Sequence, residues 1–215
     1  FNQFDQFGNA IWHHKVTGYT IEKLFHQIRS EDQRMSGYVS ATGSAGTIAA
    51  GDYLKKQFPG INIMGAEALQ CPTMLMNGFG GHRIEGIGDK HVPWIHNVRN
   101  MDLITAIDDE DALRLLRLFN ERKGQEWLLG KGALEATVEK LPYLGISGCA
   151  NLLAAIKLAK YFEMNENDII FTIFTDSVEL YYSRLEEMKE NWGAYSEQQA
   201  ELDWTSVVKK QTILF

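Results

Sequence analysis

Four short strand-like segments constrain the fold more than any other feature of this sequence. They are Met35 to Ser40, Ile61 to Ala66, Leu103 to Ile107 and Ile169 to Phe174. Each has the length of a β-strand. Between them lie segments with helical periodicity, Thr47 to Gln57, Glu110 to Arg122 and about Ala150 to Phe162. A helix over Tyr19 to Arg29, with Ile21, Leu24, Phe25 and Ile28 on one face, precedes the first run, and another over Glu179 to Glu190 follows the last. Strand and helix in alternation predict an α/β fold, a parallel sheet with helices on both faces. Ile169 to Phe174 is apolar at nearly every position, the pattern of a central parallel strand. Ligands of such sheets sit beyond the carboxyl ends of the strands. The loops after Ser40 and after Phe174 are therefore the places to search.

The punctuation of the chain agrees with these elements. Pro59-Gly60 stops the helix after the first strand, and Asp108 or Asp109 can cap the next one. Gln70 to Asn100 is rich in glycine without a clear period and reads mostly as loop. Gly124 to Pro142 breaks the rhythm and reads as an insertion with room for a helix of its own. Residues 1–188 form one unit on this reading, and 189–215 a tail. The tail carries Trp192, Trp204, Val207, Val208, Ile213 and Leu214. It reads as a docked terminal segment, with a partner surface as the alternative.

Composition excludes some classes of function. Net charge is −7 and the pI is about 5.4. A nucleic-acid surface needs a basic face to displace counterions, so no nucleic-acid partner is expected. A small anion is not excluded, because backbone N–H groups bind one without lysine. Two cysteines, Cys71 and Cys149, make no disulfide framework and fit a reducing, cytoplasmic setting. No apolar run approaches the roughly 20 residues of a membrane helix, so no membrane partner is expected. His13-His14, His26, His82, His91 and His96 lack the spacing of metal ligands, and no metal is expected. The first residue is not methionine, and the expectation is that the chain starts inside a longer product.

Gly43-Ser44-Ala45-Gly46-Thr47 joins a strand to a helix. Small residues let successive N–H groups converge, and the helix N-terminus adds positive potential. Ser44 and Thr47 can add hydroxyls. The loop is neither a Walker loop nor the Rossmann fingerprint. A tight strand-to-helix turn without a ligand uses the same residue types.

Five segments in one order carry a family resemblance. Asn2-Gln3-Phe4, with Asn9, His13 or His14 and Thr17-Gly18, opens the series. Gly43 to Ile48, Pro59-Gly60 and Gly65-Ala66-Glu67 follow, then His82 to Gly88 with Val92-Pro93. Gly145-Ile146-Ser147-Gly148-Cys149-Ala150-Asn151 and Thr175-Asp176-Ser177-Val178 complete it. Together they resemble the C-terminal half of the cysteine synthase and cystathionine β-synthase family, fold type II enzymes that use pyridoxal 5′-phosphate. The resemblance implies the larger domain of such an enzyme and a homodimer.

Position by position, the resemblance implies that Gly43, Ser44, Ala45, Gly46 and Thr47 hold the cofactor phosphate and that Ser177 meets the pyridine nitrogen. A neutral hydroxyl there suits β-elimination. Read without the family, Ser177 is a helix N-cap. Gln3 is implied to touch the substrate carboxylate, and Gly86 and Gly145 to let backbone approach cofactor and substrate. The lysine that anchors the cofactor has no counterpart in this chain, which implies a missing N-terminal half. Ser44-Ala45, Gly148-Cys149 and Thr175 depart from the family pattern and bear on the substrate. The implied reaction is β-replacement or β-elimination on a small amino acid such as serine, O-acetylserine or cysteine. The alternatives are a dehydratase or ammonia-lyase of the same fold, and a non-catalytic phosphate-binding subunit.

Overall fold

The computed structural model describes residues 2–209. One long helix opens it, in three parts: α1 (Phe7–Trp12), a π-turn (His13–Thr17) and α2 (Gly18–Ile28). Strand β1 (Arg34–Ala41) leads through the small-residue loop to α3 (Ala49–Gln57) and β2 (Asn62–Ala68). A single turn, α4 (Thr73–Met76), interrupts the loop to β3 (Leu103–Ile107). Then come α5 (Asp109–Asn120), α6 (Arg122–Gly130), α7 (Glu135–Val138), α8 (Ile146–Tyr161) and β4 (Asp168–Thr172). Two further helices, α9 (Tyr182–Trp192) and α10 (Glu197–Asp203), follow.

The sheet is parallel throughout, in the order β3-β2-β1-β4. Its register pairs Tyr38 with Ile63 and Phe171, and Val39 with Met64. Side chains alternate across a strand, so these pairs face opposite layers. Tyr38 and Ile63 pack with Ile21, Phe25 and Leu54 of α2 and α3. Val39 and Met64 pack with Leu113, Leu116, Leu153 and Leu158 of α5 and α8. Helices therefore cover both faces, as expected. Full burial of a side chain such as Leu54 stabilises the fold by about 2–3 kcal/mol.

Four expectations need correction. β4 is an edge strand among the described residues, paired only with β1, and its five residues are half-buried. Its apolar run signalled cover that these residues do not supply. The opening helix starts at Phe7 rather than Tyr19, because the π-turn breaks the 3.6-residue period that sequence reading relies on. Helix α8 starts at Ile146, four residues before Ala150; its small first-turn residues resemble a turn in sequence but are buried in the helix. A 3₁₀ turn, Val178–Tyr181, stands where the last helix was expected to begin.

Asp108 caps α5, its carboxylate accepting from the Glu110 N–H at 3.0 Å. The tail docks on α5 and α6: buried Arg117 donates to the Gly193 carbonyl at 2.7 Å, and Trp127 meets Trp204 at 5.9 Å between ring centroids. Ile213 and Leu214 lie outside the described residues. No helix among the described residues is long and apolar enough to cross a membrane.

Candidate functional site

The chain runs β1, β2, β3 towards one side of the sheet and then places β4 on the other side of β1. The order thus reverses between β1 and β4, which opens a crevice at their carboxyl ends. A cavity of about 250 Å³ occupies that position. Ala41 and Gly43 to Thr47 border it from β1, Ile173 and Thr175 from β4, and Ser147 and Asn151 from α8. Asn9 and His13 close it from the opening helix and Gln3 from the turn before it, with Gly86 and Ile87 from the long loop. Both loops singled out by the strand pattern meet here.

Asn151 holds the floor together. Its side chain is buried, accepting from the Ala41 N–H at 2.6 Å and donating to the Ile173 carbonyl at 2.8 Å. One carboxamide thereby ties the ends of β1 and β4.

The loop after β1 is built to leave donors free. Among the described residues, no backbone N–H from Gly43 to Thr47 donates a hydrogen bond. Unpaired N–H groups at a half-buried site are costly and rare. Five in succession at the start of α3 form a cradle for an anion. Ala45 helps to shape it with a left-handed φ of 62°. The hydroxyl of Ser44 accepts from Asn9 Nδ2 at 3.2 Å and keeps its own proton to donate. Thr47 is less available, because its hydroxyl pairs with Ser40 at 2.7 Å. Helix α8 adds a second N-terminus: Gly145 offers no capping side chain, so the first-turn N–H groups stay open. These features fit a phosphate group.

Gln3 and Gly86 border the cavity with the loop, and Gly86 has a φ of 83° that favours glycine. A side chain on Gly43 would press on the Gly86 carbonyl at 3.3 Å, so the two strands of backbone need that small residue to approach. Gly145 and Ser177 lie beside the cavity rather than on its wall. The Gly145 N–H donates to the Asp176 carbonyl at 3.1 Å, and its α-carbon packs against the Asp176 carboxylate. Ser177 is half-buried and makes no capping bond with its side chain. Ser177 stands at the N-cap position of the 3₁₀ turn, its carbonyl accepting the Leu180 N–H at 3.3 Å, without a side-chain capping bond.

Two groups around Gly145, Cys149 and Tyr181, hold their protons. Asp176 Oδ2 accepts from the Tyr181 hydroxyl at 2.7 Å, while Oδ1 is buried without a partner. Burial, with Asp176 adding, pushes the Cys149 thiol far up, so it stays protonated and inert as a nucleophile. Burial and then the Asp176 bond raise Tyr181 likewise. Among the described residues, no lysine or arginine borders the cavity. Among the described residues, no three His, Cys, Asp or Glu side chains cluster as metal ligands.

Sequence reading gave no role to His13, Ser147, Asn151 or Thr175, all of which border the cavity or its floor. Asn151 and Ser147 sat within a quoted motif but looked like parts of a turn. The position of Thr175, two residues past the apolar run, was the available signal.

No protein-family model matches the chain. The cysteine synthase B of Campylobacter jejuni is 30% identical over 183 residues, covering 85% of this chain and 52% of that protein. Among solved structures, the O-acetyl serine sulfhydrylase isoform 3 of Entamoeba histolytica matches with a TM-score of 0.70 and 26% identity, over 96% of this chain and 53% of that one. The hydrogen sulfide-producing enzyme Fn1055 of Fusobacterium nucleatum matches with a TM-score of 0.68 and 25% identity, over 94% and 53%. The chain spans about half the length of the curated relatives it matches. By these sequence and structural similarities the chain belongs to the cysteine synthase-like family of fold type II pyridoxal-phosphate enzymes.

Proposed function

We propose that this chain supplies the phosphate-binding half of an enzyme that carries out β-replacement or β-elimination on serine, O-acetylserine or cysteine. The carrying observation is the run of free N–H groups from Gly43 to Thr47 at the crevice between β1 and β4. Gly43 to Thr47 hold the phosphate, with the α3 dipole behind them. The open end of α8 and Ser147 face the remainder of the cofactor. Gln3 offers its carboxamide to a substrate carboxylate. Ser177 lies two residues beyond Thr175, and a neutral hydroxyl at the ring nitrogen suits expulsion of a β-substituent. Bound pyridoxal phosphate supplies the electron sink for loss of the α-proton.

The anchoring lysine comes from sequence outside these residues. Two observations support that reading: among the described residues no lysine borders the cavity, and β4 leaves an apolar edge half-covered. The same upstream half covers that edge, and the whole enzyme pairs as a homodimer in the cytoplasm.

The test is to mix the 215-residue chain with pyridoxal 5′-phosphate, reduce with borohydride and map modified lysines by mass. The expected result is reversible binding at the loop and no single stoichiometric lysine adduct. Extending the chain by its encoded upstream half should produce one adduct at an upstream lysine, together with turnover of O-acetylserine or cysteine. A stoichiometric adduct within residues 1–215, with turnover, overturns the half-enzyme reading.

A further inference from the structure

We propose that His13 is a ligand-contacting residue of the cavity, donating its Nε2–H to an anionic oxygen of the bound molecule while the Thr17 hydroxyl fixes the ring. The inference rests on the reading of the cavity as a phosphate-cofactor site. Among the residues that border the cavity, His13 alone has a side chain that titrates near neutrality.

Its ring is held on two sides. Trp12 meets it edge-on, with centroids 4.9 Å apart and planes at 87°. Nδ1 lies 2.9 Å from Thr17 Oγ1. That bond is a consequence of the π-turn. A helical threonine hydroxyl usually returns to the carbonyl four residues back, as Thr20 does to Val16 at 2.8 Å. For Thr17 that carbonyl is His13's own, and in the π-turn it accepts the Gly18 N–H. The Thr17 hydroxyl turns to the imidazole instead. When the hydroxyl donates to Nδ1, the proton of the neutral ring sits on Nε2. No described residue pairs with Nε2, which leaves it for the cavity. Burial holds the His13 pKa below its usual value, so the ring enters as a neutral donor beside the neutral N–H groups of the loop. A cavity without lysine or arginine gains from each such donor aimed at an anion.

The experiment is nitrogen-15 NMR of the labelled 215-residue chain, titrated with pyridoxine 5′-phosphate, which has no aldehyde to react with surface lysines. The His13 imidazole signals should shift together with the amides of Gly43 to Thr47. His13→Ala should weaken binding about tenfold, the loss of one charge-assisted hydrogen bond. His13→Gln, which keeps a side-chain N–H donor, should restore most of that loss, and His13→Phe should not. Thr17→Val should weaken binding by a smaller factor and move the imidazole signals before any ligand is added. Loop amides that shift while the His13 ring does not move overturn the role of His13 and leave the cofactor site standing. No shift at either place overturns both. The wild-type titration decides even where a variant fails to fold.

Discussion

The carboxamide of Asn9 rests against the α-carbon of Gly46, where a methyl group would stand. It also donates to Ser44 Oγ and to the Gln3 carbonyl at 3.0 Å. Three segments of the cavity wall thus meet on one side chain. Gly46→Ala should push Asn9 away and break this junction, costing about 1–2 kcal/mol as an overpacked site does. Thermal melting measures the loss, and phosphate binding should weaken in the same variant.

Asn151 gives the sharpest stability prediction. Asn151→Ala leaves a buried N–H of Ala41 and a buried carbonyl of Ile173 without their partner. The expected cost is about 2–4 kcal/mol, read by urea unfolding. A cost under 1 kcal/mol would show that water replaces the carboxamide.

For Ser177 the expectation is a separation of effects. Its side chain caps no helix, so Ser177→Ala should change stability by less than about 0.5 kcal/mol. In the assembled enzyme the same change should lower activity and cofactor affinity. Unchanged activity rejects its place at the pyridine nitrogen.

Asp168 sets an acid limit on the fold. Its carboxylate is 5% exposed and falls from the ordinary 3.8 to about 2, first because Ser36 donates to it at 2.5 Å, then through the Asn165 N–H and Arg34. A depressed carboxylate lends stability that is complete above its unfolded pKa and drains as the pH falls through the folded one. Asp168→Asn should therefore cost about 2 kcal/mol at pH 7 and have little effect near pH 2. Unfolding curves across pH 2–7 test the sign. The pair Arg34–Asp168 bridges β1 and β4, so the loss should fall on the edge strand first.

Much of this was legible beforehand, for identifiable reasons. β1, β2 and β3 fall where short segments of apolar and small residues stand between helical stretches, the pattern of strands covered on both faces. The loop 43–47 stood out by its small residues between strand and helix, but a bare turn uses the same residue types, and the family segments around it carried the reading. The place of β4 was not, since sequence shows that a residue wants cover but not which chain provides it. Gly145 is implied to let backbone approach the ligand, and the neighbour that its missing side chain makes room for in this structure is Asp176. Glycine marks a close approach without saying what approaches. His13 stood in the family resemblance beside His14 without a role, because its partner Thr17 makes sense only once the π-turn is known.

That turn also decides what the opening helix can serve. Asn9 abuts Gly46, and Gly18 abuts the side chain of Tyr53 in α3. In a regular helix, nine residues at about 100° each would leave these two positions half a turn out of phase. Absorbing one residue in the π-turn reduces the offset to about 80°, within a single packed face. The helix can then lie on α3 at one end while closing the cavity at the other. Deleting one residue between His13 and Thr17 would leave an ordinary helix with the same offset of about 80°, whereas inserting one more there would rotate Asn9 off the loop with α2 still in its seat. The surplus residue works as a gear tooth, setting the phase between a structural half-helix and a ligand-facing one.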